Sequence, residues 1–193
     1  KIDCHPEGCL MKKNLLITLI ISQCVFISCG KKDADEASAA GSGETPFTVT
    51  DSRGESVKIP GRVNSIATFP APHPHIIVYL DGSAERIKGL HPLAKKAAEV
   101  SILSKMAPSL LSAEDSFLTG SLLNTEELLR INPDVFFTDQ LLQGMEKLTE
   151  AGLPVIYLGL AREKIIIRDR EREIYSPEKS IREWVDITAA VLG

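Results

Sequence analysis

Residues 124–138 of the chain read NTEELLRINPDVFFT, and this stretch decides the fold. Asn124 or Thr125 can cap a short helix, and the two glutamates that follow suit its positive amino-terminal end. Asn-Pro at 132–133 ends that helix, because proline has no amide hydrogen to continue it. The apolar run within 134–138 is typical of a buried strand. A helix that leads directly into a buried strand is half of a repeating α/β unit.

Units of the same kind continue on both sides of this stretch. Short apolar runs separated by helical segments predict a parallel sheet, because parallel strands are joined by helical crossovers. A hairpin at 47–51 and 56–59, with Gly54 at a positive φ, precedes them. We therefore predict an α/β fold, a three-layer lobe with a parallel sheet flanked by helices and preceded by a short β-hairpin. The other predicted strands lie at 65–68, 86–89, near 117 and at 154–158, and the other predicted helices at 76–80, 94–100, 108–111 and 141–151.

The last part of the sequence carries two different patterns. Charged residues dominate 161–175, which we interpret as a solvated loop after a lobe at 46–160. Ser176-Pro177-Glu178 is a strong helix start. An amphipathic helix is predicted from there to the end of the sequence, with an apolar face made of Ile181, Trp184, Val185, Thr188 and Val191 or Leu192.

The composition is that of an ordinary globular protein, with 193 residues, 44% hydrophobic and 25% charged. A formal net charge of −4 and an aromatic content of 5% give no reason to expect a nucleic-acid partner. The sequence contains no glycine-rich phosphate loop, no nucleophile elbow and no paired carboxylates at a strand end. We therefore expect neither an enzyme nor a resident cofactor.

The amino-terminal residues predict targeting and not a folded domain. Met11 is followed by two lysines and by the apolar run 15–27, which is too short to span a bilayer and is typical of a secretory signal. The residues before Cys29 resemble a bacterial lipobox, although Phe26 stands where leucine is usual. We expect a wrongly assigned upstream segment at 1–10, a lipoprotein signal peptide at 11–28, and a lipidated Cys29 with a flexible tether at 29–45. The alternative is an ordinary cleaved signal in which Cys29 has no role.

The order of these parts resembles that of a known family. After the lipobox come TVTDSRGESVKIP at 48–60, IATFPAP at 66–72, the stretch at 124–138 and AGLPVIYLGL at 151–160. The chain is similar to the amino-terminal lobe of ABC-transporter periplasmic solute-binding lipoproteins of the helical-backbone class. That family binds ferric siderophores, haem, cobalamin and, in a related branch, metal ions. The resemblance implies two lobes that clamp a ligand; we expect only the first here, with 161–193 leading toward the linker helix of the family.

The resemblance also implies partners and a location. Glu126 matches an acidic position that engages the ABC permease, and the alternative is that it only stabilises the amino terminus of its helix. The location implied is the bacterial periplasm or cell surface, with the lipid anchor holding the protein to the membrane. The predicted function is the substrate-binding component of an ABC importer for an iron chelate (siderophore or haem) or a cobalamin-like ligand, limited to one lobe. The alternatives are a surface lipoprotein that serves as an interaction module without a transport ligand, and a bare metal-ion binding protein.

Ligands of parallel α/β sheets bind outside the carboxyl ends of the strands. The candidate ligand-binding residues chosen on this basis and from the family resemblance are Pro70, Pro72, His73, His75, His91, Lys105, Asp139 and Gln140. Prolines fix a loop with little entropy left to lose, and lysine suits an anionic ligand. His73, His75 and His91 are weak candidates for metal ligands, since His73 and His75 share a side only if the chain is extended. Contact with an anionic chelate and a purely structural Pro-His loop are the other interpretations.

Overall fold

The computed structural model describes residues 45–120 and 122–193. The expected upstream segment, signal peptide, lipidated Cys29 and nearly all of the tether lie outside these residues. No helix in the described ranges has both the length and the apolar character needed to cross a bilayer.

Short strands and helices alternate along the described chain, as the sequence predicts. The strands are β1 (Phe47–Thr50), β2 (Ser56–Ile59), β3 (Ile66–Thr68), β4 (Ile87–Leu90), β5 (Leu118–Thr119), β6 (Leu122–Leu123), β7 (Val135–Thr138), β8 (Val155–Tyr157), β9 (Arg162–Ile167) and β10 (Arg170–Tyr175). The helices are α1 (His73–Asp81), α2 (Pro92–Glu99), α3 (Leu103–Met106), α4 (Thr125–Ile131), α5 (Met145–Glu150) and α6 (Pro177–Leu192), with a 3₁₀ turn at Pro108–Ser112. The predicted α/β fold class is confirmed.

A parallel sheet of four strands forms the centre of the lobe, in the order β4-β3-β7-β8. All four residues of β7 are buried, which explains the uninterrupted apolar run Val135-Phe136-Phe137. The chain leaves β3 toward β4 and leaves β7 toward β8, so the two central strands are followed by connections in opposite directions. In sheets of this kind, a ligand crevice is expected at such a junction.

Two apolar clusters, one on each face of the sheet, give the lobe its three layers. One cluster places Ile66 and Phe137 against residues of α1, α2 and α6. The other places Ala67 and Phe136 against residues of α4 and α5. Neighbouring residues of a strand point to opposite faces, so the adjacent phenylalanines of β7 serve different layers.

The Asn-Pro-Asp sequence after α4 ties the two central strands together at their amino ends. Asn132 ends the helix in the left-handed conformation, with a φ of 54°. Asp134 Oδ2 then accepts hydrogen bonds from the amides of Asn64 and Ser65, at 2.7 and 2.9 Å. Because those amides lead into β3, this one carboxylate sets the start of β3 beside the start of β7.

In two segments the structure has a regular element where the sequence predicted a loop. The Pro-His segment, expected as a loop up to residue 75, already begins α1 at His73, with Pro72 as its N-cap. Prolines are tolerated there because the first amides of a helix have no intrahelical acceptor. The segment at 161–175, expected as a charged loop, is an antiparallel ribbon of β9 and β10.

The charges of the ribbon pair across its two strands. Lys164 Nζ lies 2.6 Å from Glu171 and Arg162 lies 3.6 Å from Glu173. Such cross-strand pairs favour an antiparallel ladder over a loop, so the same charges that suggested a loop help to hold the ribbon. At its base, the amide of Ser176 donates to the carbonyl of Ala161 at 2.9 Å, which brings the two ends of the ribbon together.

The long final helix packs on the sheet through a face slightly rotated from the predicted one. Trp184, Thr188 and Val191 are buried as expected, and Ile187 joins them, whereas Ile181 is 44% exposed. Arg86 holds the end of this helix, because its guanidinium donates to the carbonyl of Leu192 at 3.0 Å.

Candidate functional site

A cleft of about 500 Å³ lies at the carboxyl ends of β3, β4 and β7. It occupies the junction of the two central strands, where the topology predicts a ligand crevice. Of the candidate residues, the structure brings four together in this cleft. The lining residues are Phe69, Pro70, Ala71, His91, Pro92, Leu93, Gly120, Asp139 and Gln140.

His91 is the first residue after β4, and it is held in a fixed orientation. Its Nδ1 accepts a hydrogen bond from the amide of Leu93 at 3.0 Å, so its side chain is the N-cap of α2. The ring meets Phe69 edge to face, with centroids 4.9 Å apart and an interplanar angle of 87°. The following Pro92 keeps the backbone of His91 extended, as is usual for a residue before proline.

Asp139 and Gln140 follow β7 in a turn organised by Thr138. The hydroxyl of Thr138 donates to the carbonyl of Gln140 at 2.8 Å and accepts from the Gln140 amide at 3.2 Å. These bonds use the backbone of Gln140. Its side chain takes no part in them and is exposed at the cleft. Asp139 Oδ1 is buried and has no hydrogen-bond partner within the described residues.

The surroundings of the cleft favour the neutral forms of both ionisable side chains. Burial lowers the pKa of His91 below its ordinary value, and the nearby Asp139 carboxylate acts in the opposite direction. Burial raises the pKa of Asp139, while a hydrogen bond from its own backbone and the charge of His91 lower it. Desolvation is the leading cause in both cases, since the charged form loses the most when water is removed.

His73 is not at the cleft, which corrects the expectation that it contacts the ligand. It is fully buried. Its Nδ1 lies 2.8 Å from the hydroxyl of Thr68, and its Nε2 lies 2.8 Å from the hydroxyl of Thr188. The hydroxyl of Thr188 donates its hydrogen to the carbonyl of Trp184, at 2.6 Å. The Nε2 of His73 must then donate to Thr188 and its Nδ1 must accept from Thr68, so both ring nitrogens are satisfied inside the core.

Three other candidates also lie away from the lining of the cleft. Pro72 and His75 are exposed at the start of α1, and Lys105 is exposed on α3. Because His73 and His75 lie on a helix, they point about 200° apart and cannot share a metal. No group of three or more His, Cys, Asp or Glu side chains that could hold a metal is found in the described part of the chain.

Sequence reasoning did not single out Leu93 and Gly120 as site residues. Leu93 is the second residue of a helix that begins earlier than expected, because His-Pro serves as its cap. Gly120 has a φ of 63° and stands between two short strands, of which only the first was expected. The His-Pro pair was the available signal for the first of these, since proline is favoured at the start of a helix.

Glu126 lies in the first turn of α4 and is exposed. α4 leads directly into β7 through Asn132-Pro133-Asp134. Its neighbour Glu127 has a local partner, since Arg130 Nε donates to it at 2.8 Å. The role of Glu126 in docking stays a prediction.

A second concavity, of about 380 Å³, lies at the opposite edge of the sheet, beside the start of β7. Prolines line much of it, and Asp134 in its wall is already bonded to two backbone amides. Its other charged residue is Lys58. The polar side chains that converge on one cavity, His91, Asp139 and Gln140, are therefore at the carboxyl ends of the strands. The cleft there is the better candidate for a ligand site.

Comparison with known proteins gives similarity only at the level of structure. No family model and no curated protein matches the chain. A periplasmic solute-binding protein from Veillonella parvula is similar, with a TM-score of 0.64, 29% identity, and alignment over 76% of this chain and 41% of that one. The molybdate periplasmic binding protein MolA of a Haemophilus influenzae ABC transporter aligns with a TM-score of 0.59 and 20% identity, over 76% of this chain and 46% of that one. A variant of the haem-binding protein HmuT aligns with a TM-score of 0.51 and 20% identity, over 77% of this chain and 41% of that one.

The structural neighbours are thus periplasmic solute-binding proteins, including one from an ABC transporter. The chain spans less than half the length of each of them. The lobe described above is consistent with one α/β lobe of such a protein.

Proposed function

We propose that this chain is one lobe of the substrate-binding component of an ABC importer, and that the cleft at the carboxyl ends of β3, β4 and β7 is its half of the ligand site. The observation that carries the proposal is the convergence of His91, Asp139 and Gln140 with apolar walls at the junction of the two central strands. The likeness to periplasmic solute-binding proteins supports it. The lobe binds and releases its ligand without making or breaking a bond.

The ligand we propose is an iron chelate such as a siderophore or haem, or a cobalamin-like molecule. Apolar side chains line much of the cleft: Phe69 and Pro70 in its wall, and the exposed Leu93 three residues beyond the end of β4. An exposed apolar rim of this kind suits a bulky, partly apolar ligand. A small oxyanion such as the molybdate of MolA is less favoured, since Asp139 is the one residue of formal charge among the described lining residues.

The partners and location follow from the same proposal. Glu126 would face the permease, where a charge pair acts mainly on orientation and on the rate of association. A lipid on Cys29 would hold the protein at the membrane of the bacterial periplasm or cell surface.

The direct test is a titration followed by two-dimensional amide NMR of the full chain in lipid nanodiscs. The probes are hemin, ferric citrate, cobalamin and molybdate, with empty nanodiscs as the blank. We expect one of the three chelates to shift or broaden the amides at 69–71, 91–93 and 139–140. A dissociation constant on the order of 0.1–1 mM is expected, because an open cleft covers only part of a ligand.

A matched pair of variants locates the binding. Gln140→Ala, in the cleft, is expected to weaken the interaction several-fold, because it removes one polar contact. Lys58→Ala, in the concavity at the opposite edge, is expected to leave it unchanged. If none of the four probes perturbs the cleft amides at several millimolar, the cleft is not a site for these ligands.

A further inference from the structure

His91 and Asp139 are the two ionisable side chains that line the cleft. Histidine and aspartate are both common metal ligands. A neutral imidazole has one hydrogen and one free lone pair, and a metal takes the lone pair. A histidine that binds a metal therefore donates its other ring N–H to a nearby acceptor. The hydrogen bonding of His91 decides whether it can act in this way.

The partner of His91 Nδ1 is a donor and not an acceptor. The Leu93 amide donates to Nδ1 at 3.0 Å. This amide belongs to the second residue of α2 and has no acceptor within its own helix, so the bond serves the helix as well as the ring. Nδ1 must supply its lone pair to this bond, and the single hydrogen of the neutral ring is then on Nε2.

A second set of contacts keeps the ring from turning over. The edge-to-face contact with Phe69 fixes the plane of the imidazole ring, and Pro92 fixes the backbone of His91. A flip of the ring would place a carbon against the Leu93 amide and leave the first turn of α2 without its cap. The Leu93 amide would then have no acceptor in the protein, which destabilises the start of the helix. The orientation that presents Nε2–H is therefore the one that the fold stabilises.

We propose that His91 is a fixed hydrogen-bond donor in the cleft. Its Nε2–H donates to a carboxylate or other oxygen acceptor at the periphery of the ligand, and its ring does not coordinate a metal ion. The proposal rests on the proposed function, because it assumes that a ligand occupies the cleft. It narrows the ligand to a complex with oxygen acceptors on its outer edge. It also places any metal of that complex away from His91, held by the chelator.

The electrostatics of the cleft are consistent with this role. Burial lowers the pKa of His91, which favours the neutral ring that the cap requires. Burial also raises the pKa of Asp139, because the charged form loses the most when water is removed.

The first measurement needs no ligand. Long-range ¹H–¹⁵N NMR of the full chain in nanodiscs reports which nitrogen of each histidine carries the hydrogen. We expect Nε2–H for His91 at neutral pH, with Nδ1 unprotonated. A hydrogen on Nδ1 would overturn the proposal, whatever the chain is later found to bind.

The second measurement separates donation from metal binding. Gallium citrate, a diamagnetic probe with outer carboxylate oxygens, is titrated in parallel with Zn²⁺ alone. We expect gallium citrate to shift the Nε2–H resonance of His91, and 1 mM Zn²⁺ to leave both ring nitrogens unchanged. A Zn²⁺-induced loss of the Nε2 hydrogen would overturn the proposal, even if citrate does not bind.

Two substitutions separate the cap from the donor. His91→Asn keeps a good N-cap but has no group that reaches as far as Nε2, so we expect an unchanged Tm and about tenfold weaker binding of gallium citrate. His91→Gln keeps a donor near the position of Nε2 but is a poor cap. It is expected to restore the affinity to within about threefold while Tm falls by about 2–4 °C.

His75→Asn, on the exposed side of α1, is the matched control and is expected to change neither quantity. If gallium citrate binds the native chain and His91→Asn equally well, the donor role is wrong, although the proposed function stands. If gallium citrate fails to bind the native chain, the failure counts against citrate chelates under the proposed function. The tautomer and the Zn²⁺ result still decide the role of His91.

Discussion

The Nε2–H of His73 donates to the hydroxyl of Thr188 across 2.8 Å and a sequence separation of 115 residues. The bond joins the first helix of the lobe to the last, and the ring also packs against Phe137 of the central sheet, with centroids 4.5 Å apart. The first histidine of α1 therefore serves the core, whereas His91 lines the candidate cleft.

The buried ring of His73 makes the stability of the lobe depend on pH. Burial lowers the pKa of His73 from 6.5 to about 3. Above pH 6.5 the ring is neutral in both the folded and the unfolded chain, and the full stability is present. As the pH falls toward 3, His73 binds a proton in the unfolded chain but stays neutral in the folded chain. The free energy of unfolding is then expected to fall by about 1.4 kcal/mol per pH unit from this group.

Urea unfolding at intervals between pH 7 and pH 4 measures this slope. His73→Gln is the comparison, since it removes the titrating group while keeping polar atoms near the two threonines. We expect its slope to be smaller by about one proton. Equal slopes for the two proteins would show that His73 titrates normally in the folded state.

Asp51 joins the amino-terminal hairpin to the sheet. Its buried carboxylate accepts from the amides of Arg53 and Glu55 at 2.8 and 3.0 Å, and from the amide of Tyr157 in β8 at 3.4 Å. Asp51→Ala leaves these donors without their acceptor and is expected to lower the free energy of unfolding by about 2–4 kcal/mol.

A neighbouring substitution controls for the loss of charge in the same turn. Glu55 is exposed and pairs only with Arg53 among the described residues. Glu55→Ala is expected to cost less than about 1 kcal/mol. Denaturant curves give both numbers, and hydrogen exchange at the Tyr157 amide should speed up in Asp51→Ala alone. Similar costs for the two variants would contradict the role of Asp51.

Gly89 allows β4 to approach β3 closely. A methyl group at this position would lie 2.9 Å from Cβ of Ala67 and 3.1 Å from the ring of Phe117. Both neighbours are fully buried. Gly89→Ala is therefore expected to destabilise the lobe by about 1–3 kcal/mol.

Lys88→Ala, at the exposed preceding position of β4, is the control and is expected to change stability by no more than about 0.5 kcal/mol. Thermal unfolding of the two variants is sufficient for the comparison. A Gly89→Ala protein as stable as the native one would mean that the strands separate at little cost.

The ribbon of β9 and β10 is expected to be dispensable for the fold. Every residue of β10 is exposed, and the ribbon ends meet at the bond between Ser176 and Ala161. Replacing residues 162–175 by a short Gly-Ser turn should leave Tm within about 3 °C. Circular dichroism and thermal unfolding test this. A loss of the cooperative transition would mean that the ribbon is part of the cooperative core.

Much of the fold was predictable because local signals agreed with the tertiary structure. Asn124 caps α4 with a 3.2 Å bond from the Glu127 amide, and the run after Asn132-Pro133 is a fully buried strand. The ribbon was missed because its pairing depends on which charges face each other across the strands, and composition does not contain that information.

The candidate site was predictable only in part. The rule that ligands bind at the carboxyl ends of strands, together with the family resemblance, pointed to Pro70, His91, Asp139 and Gln140, which the structure places in one cleft. It could not separate His73 from His91. Both histidines follow a strand, and the burial of the first depends on Thr188 in the last helix.

The distance along the chain between His73 and Thr188 sets an order of events during synthesis. At about 5–20 residues per second, a ribosome needs roughly 6–23 s to extend the chain across the 115 residues that separate them. Through that interval the imidazole has no threonine from the last helix to receive its hydrogen, and a buried polar group without a partner costs about 1–3 kcal/mol. The bond that joins the first and last helices of the described lobe can therefore form only after residue 188 has been synthesised.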